Sequence, residues 1–504
     1  MTHSTLLRAA TALLTVSGIL PTAHAADAPT EQQVLEQRAK QFSQAVSTGR
    51  PEEMERLVKE HFGADMQKIP MPAHLGVQMS FWDLTRGFDV ERIDQAGLPP
   101  YQAYVLVRNH LTQGQNVFVL SLEPEPPHQI SGVQGLQFLV ENRSLQLKRS
   151  PPAPARARTN AQIARELEAY LNRLVQADVF SGVVLLAKDG KVVFQHAYGE
   201  ANKEQGIANR MDTRFHMASM HKMVTAVAIA QLVEKGKLSY EDPLSKFFPG
   251  APEGSPFTRI RIKHLVSNTS GLPFNLSRDN PVTSGKTPES ANDILRAANE
   301  EKLLFEPGTR YQYSNLAFVV LGPVVQKVTG MSYEDYVHEN IYKPAGMENG
   351  DPPKEAGGAA FALSYQKRFD EHGKPLFHRS EYFGTPSFGP GNASGGGYAA
   401  VSDLLEFERA LRSGKLVSNA GLEVLWSPKP EMGSNDYGYG FDLHTDPASA
   451  GHGGGALGVS NYMEMFRSGW TCIVMSNYNE VTFEVSEPIV LKIRELVAQP
   501  PRKK

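Results

Sequence analysis

With one cysteine in 504 residues, Cys472, the chain has no intrachain disulfide, and its place inside the apolar run Thr471 to Met475 marks a buried thiol. Charge of either sign is nearly balanced. The 51 Lys and Arg stand against 54 Asp and Glu, a net charge of -3, so the composition makes no electrostatic case for binding nucleic acid. The C-x-x-C and H-E-x-x-H patterns are missing, and the fifteen histidines are scattered, so a zinc hydrolase would lack its ligands. No G-x-S-x-G elbow occurs either, which removes the α/β-hydrolase reading. Ser284-Gly285-Lys286-Thr287 imitates the end of a phosphate-binding loop, but the earlier glycine such a loop requires is Asn280 here, and no apolar strand leads into it.

The apolar stretch from Ala9 to Leu20 is too short to span a bilayer. Preceded by Arg8, broken by Pro21 and followed by Ala23-His24-Ala25, it predicts a signal peptide over residues 1–25. No cysteine follows to carry a lipid, so the mature chain is expected to start near Ala26 in a periplasm or outside a cell, with no membrane span. Residues 26–150 carry their own pattern, with helices at 32–47 and 51–61 and strands at 77–83, 102–108, 116–123 and 134–140. Two helices before an antiparallel sheet predict a small α+β domain, one that resembles the nuclear-transport-factor-like cone. It contains no acid-base constellation, which favours a binding or structural role. The proline-rich segment 151–158 reads as a semi-rigid linker to a larger domain at 159–500.

In that larger domain, three short strings follow in order. Ser219-Met220-His221-Lys222 heads a long apolar segment, Met223 to Val233, that closes at Gly236, the place glycine favours just past a helix end. A helix apolar nearly all round is a buried one, and serine and lysine at its first turn are anomalous as packing. Three apart, Ser219 and Lys222 share one helix face with the amine in reach of the hydroxyl. A serine hydroxyl is a poor nucleophile until a neighbour takes its proton, so the pair points to an activated serine. About one or two S-x-x-K strings are expected by chance at this length. A second, Ser364-Tyr365-Gln366-Lys367, is present in a polar stretch with no apolar run behind it. Taken alone, the first string also reads as a capping serine beside a solvated lysine. His221 points away from the Ser219 and Lys222 face and has a packing or rim role.

The second string is Tyr313-Ser314-Asn315. On an extended or turning backbone it presents a phenol and an amide to one side, and Ser314 or Asn315 also suits the N-cap of a helix starting near Leu316. The third is His452-Gly453-Gly454-Gly455, ahead of a strand from Val459 to Phe466, a turn at Arg467-Ser468-Gly469 and a strand from Thr471 to Met475. Glycines at a strand edge let a ligand approach backbone N–H groups.

Together these strings resemble the serine β-lactamase and penicillin-binding-protein superfamily, whose motifs are S-x-x-K, Y-x-N and K-[ST]-G or a variant. The likeness is to its class C β-lactamase-like branch, which includes esterases, D-aminopeptidases and D-alanyl carboxypeptidases. Other strings agree: Phe180 to Leu186 with Asp189-Gly190-Lys191 as a first hairpin, Lys263 to Pro273 with Asn268 where histidine is usual, Phe305-Glu306-Pro307-Gly308, and Ala393 to Tyr398 before Ser402-Asp403-Leu404. The resemblance implies an α+β fold, an antiparallel sheet flanked by terminal helices with an all-helical subdomain. It implies Ser219 as the acylated nucleophile, Lys222 as the group that takes or relays its proton, and Tyr313 as partner base and later acid, its phenol drawn down by the ammonium. Asn315, His452 and Gly454 would bind substrate, and the N–H groups of Ser219 and Gly455 would form the oxyanion hole. His452 replaces a lysine, weakens binding of a substrate carboxylate near neutral pH, and turns the expectation toward esters and amides. The resemblance implies no metal and no organic cofactor. The expected partner is a small-molecule or peptide substrate; the alternatives are a penicillin-binding sensor that is acylated with negligible turnover, or a β-lactamase.

Overall fold

Helix α1 (Glu31–Ser47) starts where Thr30 and Gln33 close a reciprocal capping box, and α2 (Pro51–His61) starts on a proline that has no N–H to leave unpaired. The computed structural model describes residues 29–138, 157–348, 361–380, 392–445, 448–480 and 485–498, apart from 253, 278, 284–287 and 289. The expected leader at 1–25, most of the linker at 151–158 and the phosphate-loop look-alike at 284–287 lie outside the described residues. Segment 77–83, expected as a strand, lies within a helix, α3 (Met71–Thr85). Its Val77-Gln78-Met79-Ser80-Phe81 alternation has period two, but the helix is packed from more than one side and buries His74, Leu75, Gln78, Met79, Phe81 and Leu84. No single apolar stripe therefore marks its sequence.

Strands β1 (Phe88–Asp94), β2 (Gln102–Asn109), β3 (Gln115–Leu122) and β4 (Ile130–Phe138) form an antiparallel meander in that order. Strand β1 escapes sequence reading because it is a largely exposed edge with a polar sequence. Phe42, Phe81, Phe88 and Phe118 meet between helices and sheet with ring centroids 5.4 to 6.4 Å apart.

The main body is α+β. Helix α4 (Asn160–Gln176), again opened by a capping box from Thr159 and Gln162, leads into β5 (Gly182–Lys188) and β6 (Lys191–Tyr198). Asp189 and Gly190 both take positive φ, as the tight turn of this hairpin needs. Helix α5 (His221–Glu234) ends at Gly236 with φ +65, and α6 (Asn315–Thr329) is capped by the Ser314 hydroxyl. Strand β7 (Tyr365–Phe369) lies against α3. Then β8 (Asp442–Thr445), β9 (Ala448–Ala456), β10 (Val459–Phe466) and β11 (Trp470–Ser476) precede α7 (Ser486–Val497), whose Ser486 hydroxyl lies 3.0 Å from that of Ser460.

Six of these strands form one antiparallel sheet ordered β8-β9-β10-β11-β5-β6. Both faces are covered. Val183, Leu185, Ile473 and Met475 join the core shared with α5 and α6, whereas Val184, Leu186, Cys472 and Val474 join the core under α4 and α7. This explains the unbroken apolar runs of β5 and β11. The second core continues into the N-terminal elements through Phe42, Phe81 and Ile130.

Candidate active site

Ser219 occupies a single 3-10 turn (Ala218–Met220) that runs into α5, so it stands just ahead of the helix instead of within it. Ala218 before it takes φ +48, a left-handed conformation that costs a residue with a Cβ about 1–3 kcal/mol. Lys222, in the first turn of α5, is 0 % exposed. Its Nζ lies 3.0 Å from Ser219 Oγ, 2.8 Å from Asn315 Oδ1 and 2.6 Å from the Ser394 carbonyl oxygen.

Burial pushes the Lys222 amine well below the usual lysine range, and the more distant Asp442 opposes this only in part. A neutral amine has two N–H bonds and one lone pair. Asn315 Oδ1 and the Ser394 carbonyl can only accept, so they take the two N–H bonds, and the lone pair is left for the Ser219 hydroxyl. In its neutral form the amine is therefore placed to accept a hydrogen bond from the Ser219 hydroxyl.

Tyr313, half-buried, places its ring centroid 4.8 Å from Lys222 Nζ and 6.2 Å from the His452 ring. Asn315 opens α6, and its Nδ2 donates to Asn275 Oδ1 at 3.2 Å. Asn268 sits at φ +56, a conformation asparagine tolerates, and its Oδ1 accepts from Ser314 N, tying the 268 loop to the start of α6.

His452 lies on β9 beside these groups, but both its nitrogens are engaged within the protein. Nδ1 is 2.5 Å from the Gly453 carbonyl and Nε2 is 3.1 Å from the Tyr437 hydroxyl. A carbonyl accepts only, so Nδ1 carries the proton and Nε2 accepts from Tyr437. Burial lowers the imidazole pKa, offset by Asp442, whose carboxylate is 4.0 Å away. The ring is a buried neutral group, and it presents no fixed cation. Gly454 packs directly on the turn that carries Ser219. A Cβ there would collide with the Met217 carbonyl oxygen and crowd the Met220 amide nitrogen at 3.2 Å. Gly455 is exposed, on the part of β9 that β8 leaves uncovered.

The three strings, 236 positions apart at their extremes, are thus brought to one site. Residues 162–491 match the beta-lactamase family model. The chain belongs to the beta-lactamase family. It is 30% identical over 357 residues, 67% of this chain and 76% of the relative, to "Penicillin-binding protein 4*" of Bacillus subtilis strain 168. The penicillin-binding protein structure from Bacillus halodurans is 26% identical, with a TM-score of 0.52 over 66% of this chain and 98% of that one. The structure of EstCE1, described as a hydrolase with promiscuous acyltransferase activity, shares the fold at 21% identity, TM-score 0.54, over 67% of this chain and 99% of that one. In this beta-lactamase fold the second S-x-x-K is a strand, and a strand separates what a helix brings together. Ser364 stands before β7, while Lys367 is buried and pairs with Asp83 of α3 at 2.7 Å. Sequence reading missed the Ser394 carbonyl, Asn275 and Tyr437. Backbone acceptors leave no mark in a sequence, and Tyr437 looks like any packing aromatic.

Proposed function

We propose that this serine hydrolase of the beta-lactamase family is exported, after cleavage near Ala25, to a periplasm or beyond the cell, and cleaves an ester or amide through an acyl-Ser219 intermediate. The buried Lys222 amine, 3.0 Å from Ser219 Oγ with both its N–H bonds already taken, carries this reading. Lys222 accepts the hydroxyl proton as Ser219 Oγ attacks the carbonyl carbon, and the N–H groups of Ser219 and Gly455 hold the resulting oxyanion. Tyr313 gives its phenol proton to the departing alcohol or amine and takes one back from the Lys222 ammonium; water then loses a proton to Lys222 as it attacks the ester on Ser219, and that proton returns to Ser219 Oγ as the acid leaves. Asn315 holds both the amine and the substrate's acyl side. His452, neutral and engaged, leaves a substrate carboxylate without an ion pair, which favours uncharged esters and amides over penicillins.

The relatives named penicillin-binding proteins favour a second reading, a trap that acylates and stays acylated. Multiple-turnover hydrolysis of p-nitrophenyl butyrate, lost on Ser219→Ala, supports the hydrolase. A single stoichiometric burst of p-nitrophenol supports the trap, and the absence of both burst and Ser219 labelling by a fluorophosphonate overturns both.

A further inference from the structure

Behind the site runs a buried polar chain that the proposed chemistry does not use. Thr225 Oγ1, one turn after Lys222 on α5, is 2.6 Å from the Ala393 carbonyl oxygen and 2.5 Å from the Tyr333 hydroxyl. Tyr333 Oη is 2.9 Å from His221 Nε2, and His221 Nδ1 is 3.3 Å from the Tyr342 hydroxyl. All four residues are buried. Their proton order follows from counting donors. The Ala393 carbonyl only accepts and is nearer, at 2.6 Å, than the other carbonyl in reach, that of His221 at 3.4 Å, so the single Thr225 proton goes to Ala393, and Tyr333 must then donate to Thr225. His221 Nε2–H donates to Tyr333, which leaves Nδ1 to accept from Tyr342. A chain ordered in this way needs a neutral imidazole, and burial drives His221 down to about 3.

The chain ends on the residue preceding Ser394, whose carbonyl accepts one of the two Lys222 N–H bonds. The same segment is held at its other end. Gly397 takes φ +83 so close to Met217, His221 and Tyr342 that a Cβ would press on all three, and its carbonyl accepts from Met217 N at 3.0 Å, two residues before the nucleophile. We infer that Thr225, backed by Tyr333 and His221, is a positioning residue for Lys222. It fixes the 393–394 carbonyls so that Ser394 takes one N–H and the amine lone pair stays aimed at Ser219. This inference rests on the acyl-Ser219 reading above. His221, which by sequence has a packing role, gains a directional one.

The test is Thr225→Val, close to isosteric, beside Thr225→Ser, which keeps the hydroxyl, and Tyr333→Phe, which cuts the chain one link back. Acylation of the full-length protein is read as kcat and KM for p-nitrophenyl butyrate and as the rate of fluorophosphonate labelling. Displacing a catalytic group slightly costs about tenfold to a hundredfold in rate. That loss is expected in kcat for Thr225→Val with KM little changed, with Thr225→Ser near wild type and Tyr333→Phe between. Wild-type labelling per folded molecule in Thr225→Val, while Ser219→Ala is inert, overturns the positioning role and leaves the hydrolase reading intact. Equal losses in the Val and Ser variants also overturn it, because packing and not the hydroxyl would then matter. Should Thr225→Val fail to fold, Tyr333→Phe decides: wild-type kcat overturns the inference and a lowered kcat at unchanged KM supports it. Turnover that survives Ser219→Ala would instead overturn the reading on which the inference rests.

Discussion

Ser219→Ala removes one oxygen from a turn and no core volume, so turnover should vanish while the thermal transition moves by only a few degrees, about the effect of ordinary surface changes. Ser364→Ala is the control and should leave turnover unchanged, since its lysine is committed to Asp83. The base assignment has a pH signature. Lys222 must be neutral to take the proton, so kcat/KM should rise with pH through the amine's own titration and then level. Because burial lowers that titration, the acid limb should lie well below the ordinary lysine value of 10.5. A limb at the ordinary value would reject Lys222 as the base. His452→Lys should raise cephalosporin turnover by about one to two decades, the worth of a hydrogen bond to a charged group, while changing p-nitrophenyl butyrate hydrolysis little. A side-by-side comparison of kcat/KM on the two substrates checks it. Much of this site was legible because its side chains come from motifs with fixed spacing. The tethering of His452 by Tyr437 and Gly453 was not, since a residue's type says nothing about how many of its hydrogen bonds are already spent.

The close packing of β9 on the Ser219 turn is a property of two elements, and Gly454 is where it can be broken. Gly454→Ala drives a Cβ into backbone, which cannot rotate away, and overpacking of this kind costs about 1–3 kcal/mol. Acylation should fall with it as strand and turn separate. Gly395→Ala, whose nearest backbone neighbour across the site is 3.5 Å away, should be tolerated; a fluorophosphonate labelling rate on both variants separates the two outcomes. Elements were legible where the burden of burial falls on one face or where a cap marks an end. The capping boxes at Thr30 and Thr159, the proline at position 51 and the turn at Asp189-Gly190 are local chemistry, and all four stand where the sequence places an element boundary. Helix α3 was misread for the converse reason. Enclosed by other elements, it buries polar and apolar positions alike, and a chance alternation outweighed a periodicity that was never there to see.

Across the whole molecule, the N-terminal elements are joined to the main body by the continuous core through Phe42 and Phe81 and by the ion pair of Asp83 with Lys367, both side chains 3% exposed. Breaking one side of a buried pair costs about 3–5 kcal/mol where it leaves a charge alone, whereas Lys367 keeps the Asp178 carbonyl at 2.8 Å and the Asp178 carboxylate at 3.9 Å. Asp83→Asn should therefore lower urea stability by less than that range, and Asp83→Leu with Lys367→Met should recover only part of the loss, since Arg86, 2.8 Å from Asp83, loses its partner as well. Removing residues 26–155 deletes one partner of the pair and a wall of the shared core together, so the remainder should be markedly less stable than the full chain by the same measurement. The two-sided cover of the central sheet has a kinetic consequence at Cys472. This thiol sits at the middle of β11, fully buried, and burial holds its titration well above the ordinary cysteine value of 9.0. Thiolate is the reactive form, so a disulfide reagent can modify the native chain only after β11 has been uncovered. Labelling progress curves should then be single-exponential and, at high reagent, independent of its concentration. The plateau rate would be the opening rate of the strand that carries the sheet, read from a single atom without any introduced probe.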